Sequence, residues 1–175
     1  EGKVFIGEYM GSSGRIGEPA AVGLGDSLRR MGFAVGRMKT GTPARVSSRS
    51  IDYDEMEEQV GDPLMLPFSF GTERIERPSV SCHITYTNEQ THAIIRENMH
   101  RSPLYGGQIV GVGPRYCPSI EDKVVRFPDR DRHQVFVEPE GLGSEEMYLN
   151  GISSSLPEEV QEKFIRTLPG LHHVE

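Results

Sequence analysis

The chain has 175 residues, 35% of them hydrophobic and 26% charged, which is enough for one globular domain or parts of two. No apolar run approaches the roughly 20 residues of a transmembrane helix, and the two cysteines, Cys82 and Cys117, exclude a disulfide scaffold and favour a reducing, cytoplasmic setting. The net charge of -7 argues against a polyanion partner unless positive charge is concentrated locally.

The first fifty residues predict a strand, a loop and a helix. "KVFIG" at 3–7 is strand-like, and the first residue is Glu1 rather than Met, so we expect an internal fragment of a longer protein. The glycine-rich loop "MGSSGRIGEP" at 10–19 could cradle a phosphate, although it lacks G-x-G-x-x-G order and an ordinary turn is the alternative. The helix is predicted from a helically spaced apolar stripe: Ala20, Leu24, Leu28 and Met31.

Positive charge is concentrated between residues 20 and 50. This segment has six cations and one anion, a charge of +5, which leaves -12 on the rest of the chain. It could follow a nucleic-acid backbone, and the alternative is a solvated surface paired with acidic neighbours. The candidate nucleic-acid contacts are Arg29, Arg30, Arg37, Lys39 and Arg45.

The middle of the chain predicts an acidic helix within 51–62, a strand at 79–87 and a second helix. Thr87 and Gln90 have the spacing of a capping box for that helix. Further strands are predicted at 108–113 and 133–139, and a last helix has capping-box spacing at Ser155 and Glu158. Strands interleaved with helices indicate an α/β fold, with α+β as the other possibility.

Cys117 lies in "GVGPRYCPSIEDKVVRF" at 111–127. Pro118 suits the first position of a helix, which would place Cys117 at the N-cap, where a thiolate is favoured. Ser119 is a rival N-cap. Arg115 and Lys123 would favour the thiolate and the neighbouring carboxylates would oppose it, while a small buried thiol remains the alternative.

Other chemistry has weaker support. The six histidines are scattered, without C-x-x-C or H-E-x-x-H spacing, so no protein metal site is predicted. Tyr105 and Tyr116 could stack on a base or a flavin, or pack within turns.

Five stretches together resemble one family. They are "GRMKTGTPARV", "THAIIRENMHRSPLYGG", "GVGPRYCPSIEDKVVRF", "VFVEPEGL" and "YLNGISSSLPEEVQ". On these the chain is identified as a member of the MnmG family, also called glucose-inhibited division protein A (GidA). The resemblance implies part of a FAD-binding Rossmann-like domain at 1–45, an α/β insertion domain at 46–150, and a return toward the FAD-binding domain at 151–175.

The resemblance also implies site residues. Cys117 corresponds to the family's active-site cysteine, and Ala21 lies in the region that touches FAD. The nicotinamide (NAD) contact is implied for one continuous stretch: Gly113, Pro114, Arg115, Tyr116, Cys117, Pro118, Ser119, Ile120, Glu121, Asp122, Lys123, Val124, Val125, Arg126 and Phe127.

Members of the family are homodimeric flavoproteins. With the GTPase MnmE they use FAD, NADH and methylene-tetrahydrofolate to build a carboxymethylaminomethyl or aminomethyl group on C5 of the wobble uridine of certain tRNAs. The resemblance therefore implies a tRNA-modifying enzyme whose isolated fragment is inactive. Two alternatives stay open: a tRNA- or partner-binding module without chemistry, and a folate-dependent tRNA uridine methyltransferase.

Overall fold

The computed structural model describes residues 1–15, 17–114 and 117–175. An N-terminal hairpin pairs β1 (Lys3–Ile6) with β2 (Tyr9–Ser12). Helix α1 (Leu24–Arg30) follows. The predicted glycine-rich loop is therefore wrong over residues 10–12, because the hairpin turn at residues 7–8 returns the chain into backbone pairing with β1.

A five-stranded antiparallel sheet forms the centre of the rest of the chain. Its strands are β3 (Arg45–Ser47), β4 (Glu57–Gln59), β5 (Cys82–Tyr86), β6 (Gln134–Pro139) and β7 (Glu146–Asn150). Their spatial order is β3-β7-β6-β5-β4. The mixed helix and strand class is confirmed, and the antiparallel pairing corresponds to the α+β form that the sequence left open.

Three helices contribute to the same core as the sheet. They are α2 (Glu89–Glu97), α3 (Ile120–Arg126) and α4 (Glu158–Ile165), and α2 packs against both of the others. Paired strand residues such as Val137 and Leu149 are fully buried in one cluster with side chains of all three helices. In this way the sheet gives α3, which follows Cys117, a rigid base.

Several local predictions are wrong. The acidic helix is replaced by short 3-10 turns at Ser48–Ser50 and Tyr53–Glu55, followed by β4. The strand at 108–113 is reduced to an isolated bridge between Val112 and Met38. The acidic segment instead pairs with β5 through β4, whereas Val112 pairs only with Met38.

Both predicted capping boxes are wrong as well. At α2 the box is formed one residue later by Asn88 and Thr91, because the Asn88 side chain accepts the N–H of Thr91 at 3.0 Å. At α4 the N-cap is Pro157, without a side-chain cap. The Ser155 hydroxyl instead points to Glu121.

The described helices include none long and apolar enough to cross a membrane.

Candidate active site around Cys117

Cys117 is half-buried just before α3, and its thiol contacts a distant loop. Its Sγ is 3.1 Å from the hydroxyl of Thr40 and 4.0 Å from the carbonyl oxygen of Gly41. Thr40 and Gly41 belong to "KTGTPA", and Thr40 precedes Cys117 by 77 residues in the sequence. The tertiary fold therefore gives the thiol a polar neighbour that can exchange a hydrogen bond with it.

The placement of Cys117 at the N-cap of a helix is wrong. Helix α3 begins at Ile120, and its N-cap is Ser119, the rival position, whose hydroxyl accepts the N–H of Asp122 at 3.2 Å. A serine oxygen is a far better acceptor than a thiol sulfur, which explains why the helix starts two residues later. Cys117 precedes the cap and does not accept from the first turn.

Lys123 lies near the thiol but faces a carbonyl group. Its Nζ donates to the carbonyl oxygen of Gly151 at 2.7 Å. Burial lowers the pKa of the Lys123 ammonium, and a thiolate on Cys117 opposes that shift. Lys123 thus provides a positive charge within electrostatic reach of the thiol while fastening α3 to the chain after β7.

Arg45 on the edge strand β3 is paired with Tyr148 on β7, the next strand of the sheet. The guanidinium of Arg45 stacks 4.8 Å from the centre of the Tyr148 ring and pairs with Glu140 at 2.6 Å. Burial raises the pKa of Tyr148, Arg45 opposes that shift, and a Cys117 thiolate adds to it. Tyr148 therefore keeps its proton at neutral pH.

A cleft of about 1770 Å³ opens beside Cys117. Its walls come from the N-terminal hairpin, residues 36–46, the approach to α3, and parts of 154–166. Within the predicted nicotinamide stretch, the residues that line it are Gly113, Pro114, Cys117, Pro118, Ser119, Asp122 and Arg126. Arg37 and Lys39 also line the cleft and add positive charge.

The remaining residues of that stretch lie elsewhere. Ile120, Glu121 and Val124 are buried in the interior, whereas Val125 and Phe127 are exposed. Arg115 and Tyr116 lie outside the described residues. Asp122 accepts the hydroxyl of Tyr105 at 3.2 Å, and partial burial together with that carboxylate raises the pKa of Tyr105 to about 12.

The cations of the basic segment differ in their contacts. Arg29 pairs with Asp26 at 2.7 Å, and Arg45 is held by Glu140 and Tyr148. Arg30 donates to Ser27 at 2.9 Å, and Arg37 donates to the carbonyl oxygen of Glu1 at 2.9 Å. Lys39 is half-buried in the cleft wall beside Gly113. Ala21, the predicted FAD contact, is exposed before α1.

Within residues 1–15, 17–114 and 117–175, no group of three or more His, Cys, Asp or Glu side chains is arranged to hold a metal ion. Both cysteines are free thiols.

Sequence reasoning missed two parts of the site. Thr40 and the segment 151–155 lie within "KTGTPARV" and "NGISSS", and the residue patterns predict no role for either. Their residue types are common in turns, and only the fold shows that they meet beside the thiol.

Comparison with known proteins decides the family. The family model described as Glucose inhibited division protein A matches residues 1–175. The chain belongs to this family. Curated GidA relatives carry the name "tRNA uridine 5-carboxymethylaminomethyl modification enzyme MnmG". One from Borrelia garinii subsp. bavariensis is 58% identical over 172 residues, and one from Treponema pallidum is 60% identical over 171 residues.

Solved GidA structures show the same fold. The chain superposes on Aquifex aeolicus GidA in its form I crystal with a TM-score of 0.84 and 52% identity, covering 99% of this chain and 30% of that one. The form II crystal gives a TM-score of 0.83 and 48% identity. The alignments with the Borrelia and Treponema relatives cover 98% of this chain but only 28% and 27% of those proteins.

Proposed function

We propose that this chain carries part of the active site of an enzyme that modifies C5 of the wobble uridine in certain tRNAs. Family membership and the relatives named for tRNA uridine modification support the proposal. The observation that carries it is the Cys117 thiol beside the cleft, in contact with Thr40. The group added would be carboxymethylaminomethyl or aminomethyl, and the whole enzyme would act as a cytoplasmic homodimer together with the GTPase MnmE.

Two roles for Cys117 follow from thiol chemistry. As a nucleophile, the Cys117 thiolate would form a bond from Sγ to C6 of uridine and move the C5–C6 electron pair toward C5. Attack by C5 on a one-carbon electrophile, loss of the C5 proton and elimination of the thiolate would complete the cycle. As an acid or base, Cys117 would instead carry that proton.

Thr40 suits either role. A thiolate accepts hydrogen bonds and cannot donate them, so the Thr40 hydroxyl at 3.1 Å would donate to it and stabilise the charge. In the thiol form either atom can donate.

Cations in the cleft wall support the binding of a dinucleotide there. Arg37, Lys39 and Arg126 bring positive charge to its walls, and guanidinium and ammonium groups are suited to a diphosphate. These three residues would hold the diphosphate of NADH or FAD. If bound there, NADH would supply the hydride that FAD would accept, and methylene-tetrahydrofolate would serve as the carbon donor. A backbone contact of FAD at Ala21 stays a prediction.

The tRNA contact is proposed for the basic segment. Arg29, Arg30 and Arg37 are exposed, as phosphate contacts must be, and Lys39 is half-buried at the cleft. Arg45 contributes less, because it is already engaged by Glu140 and Tyr148. Binding through such contacts should weaken as salt concentration rises.

The test is substitution of the thiol in the full-length protein. Cys117→Ser should abolish wobble-uridine modification, whereas Cys82→Ser, the other cysteine of this chain, should leave it close to the wild-type level. The readout is mass spectrometry of nucleosides from tRNA incubated with the protein, MnmE and the cofactors.

Two outcomes would contradict the proposal. If Cys117→Ser modifies tRNA normally while basic-segment variants lose tRNA, the chain is a binding module. If the product is 5-methyluridine at another position, the enzyme is a folate-dependent methyltransferase.

A further inference from the structure

Glu121 is a fully buried carboxylate in the first turn of α3. Its Oε1 accepts the backbone N–H of Ser155 at 3.0 Å, the hydroxyl of Ser154 at 3.2 Å and the hydroxyl of Ser155 at 3.4 Å. Burial raises the pKa of this carboxyl, and these hydrogen bonds oppose the shift. A buried carboxyl is costly unless it is satisfied, so the donors around it must be held in place.

The segment 151–155 is fastened to α3 at two further points. The N–H of Ile120 donates to the carbonyl oxygen of Ser153 at 2.8 Å, and Lys123 donates to that of Gly151. With Glu121, three residues within one turn of α3 therefore bind a single stretch of five residues.

The other side of segment 151–155 supports the loop that contacts the thiol. A Cβ on Gly41 would lie 2.6 Å from the Cβ of Ser153, so only glycine allows this approach. The N–H of Ser154 also donates to the carbonyl oxygen of Thr42 at 3.4 Å. Segment 151–155 thus lies between α3, which follows Cys117, and the loop that carries the Thr40 hydroxyl.

We propose that Glu121 is a positioning residue for Cys117: by gathering the donors of Ser154 and Ser155, it fixes segment 151–155 and so sets the thiol against Thr40 and Gly41. It is not a catalytic residue, because its side chain is fully buried and bonds to the protein interior. The inference extends the function proposed above, since it concerns the same thiol. Its Oε2 has no hydrogen-bond partner among the described residues, so every hydrogen bond that the Glu121 side chain makes to segment 151–155 is accepted by Oε1.

The experiment compares Glu121→Ala, Glu121→Gln and Glu97→Ala in the full-length protein. Glu97 is an exposed carboxylate in the last turn of α2 and serves as the matched control. The measurement is the iodoacetamide alkylation rate of Cys117, resolved by peptide mass spectrometry. Cys82 on β5 is the internal reference, since general loosening of the fold would expose it as well.

In Glu121→Ala we expect the alkylation rate of Cys117 to rise by about a factor of ten. Removing the carboxylate leaves the buried donors of Ser154 and Ser155 unpaired, and this favours local opening of the structure. Cys82 should stay within about twofold of wild type, since β5 lies outside the opened segment. Glu121→Gln should restore a rate near wild type, because its amide oxygen accepts the same donors. Glu97→Ala should match wild type at both cysteines.

Three results would overturn the inference: an unchanged rate at Cys117, an equal rise at Cys82, or no rescue by Glu121→Gln. If Glu121→Ala fails to fold, the double variant Ser154→Ala, Ser155→Ala removes the two hydroxyl donors and must give the same selective rise. The outcome is independent of catalysis. Normal tRNA modification by Cys117→Ser would refute the proposed function, and the alkylation rates would still decide the role of Glu121.

Discussion

Residues 1–44 and residues 45–175 differ sharply in how they are packed. Every buried hydrophobic residue of the described chain lies between Val46 and Val174. In contrast, α1 has no buried residue, and its predicted stripe stays open, with Leu24 66% and Met31 74% exposed. The comparison teaches that helical periodicity predicts a helix and its apolar face but not what covers that face.

The largest expected effect tests this contrast directly. Phe164 of α4 is fully buried, and Phe164→Ala should lower the free energy of unfolding by about 3–5 kcal/mol, through lost burial and the cavity left behind. Leu24→Ala on α1 should change it by less than about 0.5 kcal/mol, as surface substitutions do. Urea unfolding followed by circular dichroism measures both, and similar losses would show that the two regions share one core.

A smaller effect is expected where the two regions meet. Gly7 has φ +55, its N–H donates to the carbonyl oxygen of Ser155 at 2.7 Å, and a Cβ there would lie 2.7 Å from Pro157. Gly7→Ala should therefore cost about 1–3 kcal/mol and release the hairpin. Hydrogen exchange should accelerate in β1 and β2 but not in β6.

The matched control is Gly32→Ala. Gly32 also has a positive φ, +88, but a Cβ there would meet nothing within 4 Å. It should reproduce the backbone strain without releasing the hairpin. Equal exchange in the two variants would show that Pro157 does not hold the hairpin.

The smallest effect is a pH dependence confined to the packed region. The rings of His92 and His133 lie 5.3 Å apart. Burial lowers the pKa of both histidines. At His92 the charge of Arg96 lowers the pKa further, and Asp131 opposes the shift. At His133 the pKa is lowered further by three positive groups: His92, Lys123 and Arg130. These histidines bind protons more readily in the unfolded chain than in the folded protein. Their contribution to the free energy of unfolding should therefore be complete above about pH 6.5 and should be lost as the pH falls below that value.

The measurement is the free energy of unfolding at about pH 7.5 and about pH 5.5. His133→Gln should reduce the difference between the two, whereas His100→Gln, at an exposed position, should preserve it. Buried Glu121 affects the pH dependence of stability in the opposite direction, because a raised carboxyl pKa lowers the free energy of unfolding as the pH rises above about 4.3. It is common to all variants, so it does not affect the comparison. If His133→Gln leaves the difference in free energy of unfolding between the two pH values unchanged, His133 is not a source of the pH dependence.

Sequence patterns predicted best where local preference and burial agree. Strands β5 and β6 were predicted near their observed positions, because their β-branched residues are also buried: Ile84 and Thr85 in β5, Val135 and Val137 in β6. The "QIVGVG" stretch has similar residues but forms no strand, since Val112 finds only Met38 to pair with. Strand β7 was missed, although it pairs on both sides within the sheet.

By itself the sequence determined the family, the mixed helix and strand class, and Cys117 as the candidate catalytic thiol, because these depend on residue types and their order. Only the tertiary structure decided that Thr40 contacts the thiol and that Glu121 faces inward onto Ser154 and Ser155. The physical reason is separation along the chain. These contacts join residues up to 77 positions apart, so they depend on packing that no local pattern contains.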